Sequence, residues 1–179
     1  RWFAQPSIRA VLPVSTDLGR VLQQRFGVPQ AKITVVPNVA SPLFHPRSPL
    51  NNDRFRIVLA ARWAEPKDPG LFVDVLHRLP QELVRRLHVT WAGDGAQYAA
   101  TQHACRTMIE QGIVHFPGRM AKPELAKLLA QAHLLVHPTR AENLPCIIVE
   151  SLCSGTPVLS MAVNGIPELV HPGNGVLCP

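Results

Sequence analysis

Short apolar runs alternate along this chain with longer segments of helical period, and that alternation leaves few folds open to it. Residues 8–14 and 33–36 read as strands, with a helix over 16–26 between them that Ser15 or Thr16 can cap. Further strands are expected at 55–61, 88–92, 113–116, 133–136 and 156–160. Between them lie helices at 69–79, 97–111, 122–132 and 145–154. The 69–79 helix carries Leu71, Val75 and Leu79 on one face, and the 122–132 helix turns Leu125, Leu128 and Leu129 inward behind Pro123 at its start. Strands separated by helical segments of roughly 10–15 residues imply right-handed crossovers into a parallel sheet. The strands are nearly continuous apolar runs, which fits burial on both faces. The expected class is α/β, a parallel sheet with helices on both faces.

Residues 40–53 break the pattern: they hold three prolines and two asparagines with no period, and read as a linker. At 179 residues the chain can bury a sizeable core, and 46% hydrophobic with 17% charged residues is a globular balance. No apolar run approaches the roughly 18 residues that span a bilayer, and no leader with a small-residue cleavage site is visible, so no export signal is expected. The cysteines Cys105, Cys146, Cys153 and Cys178 show no Cys-x-x-Cys spacing, and two of them lie on one apolar helix. Buried reduced thiols in a cytoplasmic protein are expected, and a zinc site is not. The net charge of +6 favours anionic partners. The basic residues are scattered, though, and no aromatic residues interleave with them, which argues against nucleic acid.

Ligands of such sheets bind at the carboxyl ends of the strands, in loops that lead into helices. Polar residues crowd there. Arg62 and Lys67 follow the 55–61 strand, Gly93-Asp94-Gly95 the next, Gly118 and Arg119 the one after, and Glu142 precedes the 145–154 helix. Singly, the cations read as solvated loop charges and the glycines as turn residues. Together they set two cations, exposed backbone amides and a helix N-terminus along one sheet edge, which suits a diphosphate. Glu142 and Glu150 bracket seven residues, five of them apolar. If Pro145 opens the helix, Ile148, Val149, Leu152 and Cys153 form its buried arc and Glu150 falls at the edge. A carboxylate there either touches water at the rim, or is paired, protonated or bonded to a ligand, because a lone desolvated charge is costly.

From about Val14 onward an ordered set of motifs resembles the C-terminal half of the retaining family 4 glycosyltransferases (glycosyltransferase group 1). The matching segments are Val-Ser near Ser15, Ile33-Thr-Val-Val-Pro-Asn38, Arg62-x4-Lys67, Gly93-Asp-Gly95, Phe116-Pro-Gly118, Glu142-x7-Glu150, Gly155-Thr-Pro-Val158 and Gly165-Ile-Pro-Glu168. In that family two Rossmann-like domains face each other in the GT-B arrangement, and the C-terminal one holds a nucleotide-sugar donor. The resemblance implies that residues 1–38 end the acceptor domain and start the crossover. Residues 39–53 would be the linker, and 54–179 a donor-binding domain that stops short of the family's final helices. The chain departs from the pattern at Glu142-Asn-Leu-Pro145, where Glu-Gly-Phe-Gly is common, and at Asn38-Val39, where Asn-Gly-Val is usual.

The resemblance also implies roles. Arg62 and Lys67 would hold the donor diphosphate and Glu142 the hydroxyls of the donor sugar, these three forming the catalytic set. Glu150 would hold the ribose, and the backbone near Gly118 and Arg119 the base. The backbone of Asn143, Leu144, Pro145, Cys146 and Ile147 would meet the sugar and phosphates. No metal or other cofactor is implied, since Arg62, Lys67 and the helix end supply positive charge. The implied partners are a UDP or GDP sugar and a glycan or lipid-linked acceptor held mainly by the other domain. The implied location is cytoplasmic, with peripheral contact at the cytoplasmic membrane face left open. Two other readings also stay open: a nucleotide- or sugar-binding module that does not catalyse, and a sugar-nucleotide epimerase of the same architecture, although an epimerase lacks the Arg-x4-Lys and Glu-x7-Glu pair together. A glycan phosphorylase would need a pyridoxal-phosphate lysine motif that is not found.

Overall fold

The apolar runs pair side by side because a strand buried on both faces can satisfy its backbone only through its neighbours. In the computed structural model, which describes residue 3 and residues 5–46 and 53–179, β1 (Phe55–Arg62) pairs in parallel with β2 (Leu87–Asp94) along its whole length, Phe55 opposite Leu87 through Arg62 opposite Asp94. Outside β2 lies β3 (Val114–Gly118). On the other side of β1 follow β4 (Leu134–His137), β5 (Val158–Met161) and β6 (Gly175–Cys178). The spatial order is β3-β2-β1-β4-β5-β6, and every pair is parallel. The helices are α1 (Thr16–Phe26), α2 (Pro69–Arg78), α3 (Gln81–Val84), α4 (Tyr98–Ala104), α5 (Arg106–Glu110), α6 (Lys122–Ala130) and α7 (Cys146–Cys153). Alternate residues of β1 face opposite ways. Ile57 and Leu59 pack with Phe72, Val73 and Leu76 of α2 and with Cys105. Val58 and Ala60 pack with Ala126 and Leu129 of α6 and with Ile148 of α7. The sheet is covered on both faces, as expected.

Several expectations shift for identifiable reasons. The strands at 8–14 and 33–36 shrink to one parallel bridge between Val11 and Ile33, because Pro13 has no N–H with which to extend a ladder. The 97–111 helix breaks into α4 and α5 at Cys105, a residue 0% exposed with φ −94° and ψ 8°. On α2 the residues turned inward are Phe72, Val73 and Leu76, which pack with Trp63 and Trp91, while Leu71 and Val75 are exposed. The edge strand β6 was not expected, since it is short and opens on a glycine. Residues 47–52 of the expected linker lie outside the described residues.

The inward arc of α7 differs most. Ile148, Glu150 and Ser151 are its buried residues, Val149 is half-buried, and Cys146 and Cys153 are exposed. Pro145 caps the helix in extended geometry, φ −69° and ψ 122°, one residue before the first turn. Serine can face inward here because its hydroxyl finds a local partner: Ser151 Oγ donates to Thr156 O at 2.9 Å. Counting apolar residues therefore picks the wrong arc. Of the four thiols, only Cys105 fits the expected buried class; burial pushes its pKa up to about 11.

The N-terminal segment joins the domain at a tight contact. Ser15 Oγ caps α1 by accepting from Leu18 N at 3.0 Å. Beyond that, the Glu168 carboxylate accepts from Thr16 N at 2.9 Å and Asp17 N at 2.8 Å. Burial pushes the Glu168 pKa up, but these bonds outweigh it and hold the carboxyl below its ordinary value. Gly165 makes this approach possible, because a Cβ there would lie 2.2 Å from Asn143 O and 2.8 Å from the Ser15 Cβ. Gly165→Ala should therefore destabilise the chain by about 1–3 kcal/mol, the usual cost of overpacking. Urea denaturation followed by circular dichroism measures it, and an unchanged midpoint would show that the contact yields freely.

Candidate functional site

β1 and β4 are neighbours in the sheet but lead to opposite faces, β1 into α2 and β4 into α7. Their exits diverge, leaving a crevice at the carboxyl ends of the strands. Arg62 ends β1, and a 3-10 turn over Glu65–Lys67 follows. The turn is fastened to the loop after β4: Thr139 Oγ1 and Arg140 N both donate to Pro66 O at 2.8 Å. Arg140 Nε pairs with Asp68 Oδ2 at 2.6 Å, which holds Asp68 in a left-handed conformation of φ 38°. Lys67 is thus fixed between two anchored residues. The neighbouring glycine has a packing reason: a Cβ on Gly93, at φ 116°, would lie 1.9 Å from Ala61 O. Gly93 lets the exits of β1 and β2 close together.

The crevice forms two clefts that share Arg62. One, of about 390 Å³, is lined by Arg62, Gly93, Asp94, Arg119, Ile147 and Glu150 among others. The other, of about 410 Å³, is lined by Arg62, Lys67, Glu142, Asn143 and Asn164 among others. Arg62 is exposed, and its guanidinium has no ion-pair partner among the described residues. Glu142 is held from three sides. Its Oε1 accepts from Lys67 Nζ and lies 2.9 Å from His137 Nε2, and its backbone N–H donates to Asn164 Oδ1 at 3.1 Å. Burial pushes the Glu142 carboxyl up, but the bonds from His137 and Lys67 outweigh it and hold the pKa below its ordinary value. Glu150, 6% exposed, pairs with Lys122 Nζ at 3.1 Å. It sits inside the fold rather than at its rim.

A family model described as glycosyl transferases group 1 matches residues 54–179. The chain belongs to that family. D-inositol 3-phosphate glycosyltransferase 1 of Catenulispora acidiphila is 29% identical over 186 residues, covering 94% of this chain and 44% of that protein. MMP alpha-(1->4)-mannosyltransferase of Mycolicibacterium hassiacum is 25% identical over 190 residues, covering 96% of this chain and 46% of that protein. The chain thus spans less than half the length of these curated relatives. Among solved structures, the pneumococcal O-GlcNAc transferase GtfA in complex with UDP and GlcNAc aligns with a TM-score of 0.81 at 19% identity, covering 99% of this chain and 35% of that one. Anabaena HepE in complex with UDP aligns with a TM-score of 0.77 at 22% identity, covering 95% of this chain and 50% of that one. The fold is that of the C-terminal half of a GT-B glycosyltransferase.

In this group 1 chain Arg62, Lys67, Glu142, Asn143, Ile147, Glu150 and Arg119 line the two clefts. Gly118, Leu144, Pro145 and Cys146 line neither. Leu144 and Pro145 are buried, and the Leu144 carbonyl is occupied by Asn38 Nδ2 at 2.6 Å. Proline at the cap leaves the first-turn amides of Cys146 and Ile147 without helical partners. The residues not anticipated from sequence are those that hold others: His137, Thr139, Arg140, Asn164, Asn38 and Lys122. The polar run after β4 was a signal for the first three, whereas Lys122 pairs across 28 positions with nothing in the sequence to connect them. Among the described residues no helix is long and apolar enough to cross a membrane.

The lowered pKa of Glu142 carries a sign. Its contribution to stability is present above the unfolded-state pKa and is lost as pH falls through the lower folded value. Glu142→Gln should therefore flatten the loss of stability on acidification, read as urea midpoints between about pH 7 and about pH 3. An acid slope identical to wild type would show that the lysine and histidine bonds contribute no net stability.

Proposed function

We propose that this chain is the donor-binding half of a retaining glycosyltransferase and holds a nucleoside-diphosphate sugar across the two clefts. The observation that carries the reading is Arg62, a cation shared by both clefts and without an ion-pair partner among the described residues, with Glu150 in one cleft and Glu142 in the other. A diphosphate bridging the clefts would place its charge at Arg62 and Lys67, the nucleoside beside Glu150 and Arg119, and the sugar beside Glu142 and Asn143. As the glycosyl bond breaks, negative charge grows on the leaving diphosphate, and cations already held against it lower the barrier. The same two cations and the α7 amides at Cys146 and Ile147 offer the phosphates positive charge without a metal ion. Nearby Gly118, Leu144 and Pro145 would shape the walls rather than touch the donor. Solved neighbours in complex with UDP favour a nucleoside diphosphate as the ligand class.

On this reading residues 1–38 end the acceptor domain and begin the crossover, 39–53 link, and 54–179 bind the donor. The acceptor, a glycan or a lipid-linked group, would be held mainly by the opposing domain, and a peripheral contact with the cytoplasmic membrane face would suit a lipid-linked one. The 179-residue chain alone should bind a diphosphate but transfer no sugar, because transfer needs an acceptor held against the donor carbon.

Calorimetric titration with UDP, GDP and ADP identifies the base. Arg62→Ala and Lys67→Ala should each weaken binding by about 1.5–3 kcal/mol, the range of a hydrogen bond to a charged group. Arg62→Ala should leave stability within about 0.5 kcal/mol of wild type, because it breaks no ion pair. Lys67→Ala should cost more, because it leaves Glu142 with one donor fewer. If Glu150 accepts from the ribose, Glu150→Gln should weaken the nucleotide by about 1 kcal/mol and leave inorganic pyrophosphate unaffected. Absence of heat with all three nucleotides at millimolar concentration removes the reading.

A further inference from the structure

His137, the last residue of β4, is 3% exposed and is among the residues that line an apolar cavity of about 210 Å³ beneath α2. Its backbone is fixed as well: the carbonyl accepts from Ser160 Oγ at 2.9 Å. The ring's polar contact is Glu142 Oε1, at 2.9 Å from Nε2. A carboxylate held below its ordinary pKa only accepts, so the Nε2 facing it must carry the proton. Lys67 Nζ is bonded to that same oxygen. One carboxylate oxygen therefore has two donors, a buried imidazole that cannot leave and an ammonium on a flexible stem that can.

We propose that His137 is the positioning residue that lets Lys67 pass from Glu142 to the donor diphosphate. This rests on the diphosphate reading of the site. Lys67 is bonded to Glu142 in the structure. When a diphosphate enters the cleft, the ammonium must turn toward it, and a half-buried carboxylate that loses its only donor is heavily penalised. His137 keeps a proton donor on Oε1 throughout, so the exchange leaves Glu142 bonded and ionised. The Asn164 bond to the Glu142 backbone holds the loop in register meanwhile. Oε2 is then the oxygen left to accept from a sugar hydroxyl. His137 touches no ligand. It sets the cost of moving Lys67.

The test is a double-mutant cycle on the 179-residue chain, with binding of inorganic pyrophosphate, UDP, GDP and ADP measured by calorimetry. His137→Leu removes the donor and should weaken diphosphate binding roughly tenfold. His137→Gln keeps an N–H at similar reach and should restore most of that affinity. In the Glu142→Gln background there is no carboxylate charge to compensate, so His137→Leu should change affinity less than about twofold. A fold defect is separated by this same arm: if His137→Leu loses as much in the Glu142→Gln background as in wild type, its role is packing and the proposal is overturned. Equal affinity of wild type and His137→Leu overturns it too. If the wild-type chain binds none of the four probes, the diphosphate reading fails and the proposal falls with it. Binding without His137–Glu142 coupling removes the proposal alone.

Discussion

The carbonyl of Pro66 accepts two hydrogen bonds from the neighbouring loop, one from the Thr139 hydroxyl and one from the Arg140 amide, both at 2.8 Å. Parallel sheets of this order open a crevice where adjacent strands lead to opposite faces, and nothing in the ladder closes it beyond the last paired residues. Here the pairing of β1 with β4 ends at Val58 and Leu135, well short of the exits. The loops are joined instead through Pro66 and through the Arg140–Asp68 ion pair. These contacts decide where Lys67 stands, because it lies between the two anchored residues. They also place Glu142, two residues beyond Arg140, within reach of it. The crevice keeps its opening while its walls stay in register.

Each acid of the Glu-x7-Glu pair has a lysine, but the two pairs differ in kind. Lys122 is 66% exposed as a side chain, so its attraction to Glu150 is screened by water. Lys67 is 23% exposed and Glu142 14%, so that bond is made where water competes poorly. Removing Lys67 from Glu142 matters more, and only there does a buried histidine stand behind the carboxylate. Arg62 is different again, a cation that lines both clefts and pairs with no acid among the described residues.

The sheet was legible in the sequence because buried parallel strands need continuous apolar runs, and 55–61, 88–92 and 133–136 supply them. The first is observed one residue longer, the second as Leu87–Asp94, and the third shifted by one residue to Leu134–His137. The crowding of Arg62, Lys67, Glu142 and Glu150 at one sheet edge followed from topology, since all four lie in or near loops after strands or in the helix they lead to. The environment of each was less legible. Glu150 was placed at the edge of an apolar arc, whereas α7 is rolled so that Ser151 and Glu150 face inward, with the serine bonded to Thr156. Helical periodicity counts apolar residues and cannot register a hydroxyl satisfied by local backbone. Nor can it foresee contacts such as Thr139 with Pro66, which span 73 positions and exist only once the sheet has formed.

The segment before residue 54 lies outside the family match yet is bound to the site by its most specific contacts. Asn38 fixes the Leu144 carbonyl, Glu168 caps α1, and Gly165 lies where a Cβ would clash with both Asn143 and Ser15. Residues 143–145 are therefore held from the N-terminal side as well as from β4. This loop lacks the glycines common at its position in the family. Leu144 and Pro145 are buried where glycines would leave the backbone free to adjust, so the loop derives its shape from these partners rather than from its own flexibility. At Gly165, Ser15 of the N-terminal segment approaches Asn143, a residue that lines the same cleft as Glu142 and Lys67. Gly165 is thus where the N-terminal segment and the wall of that cleft meet.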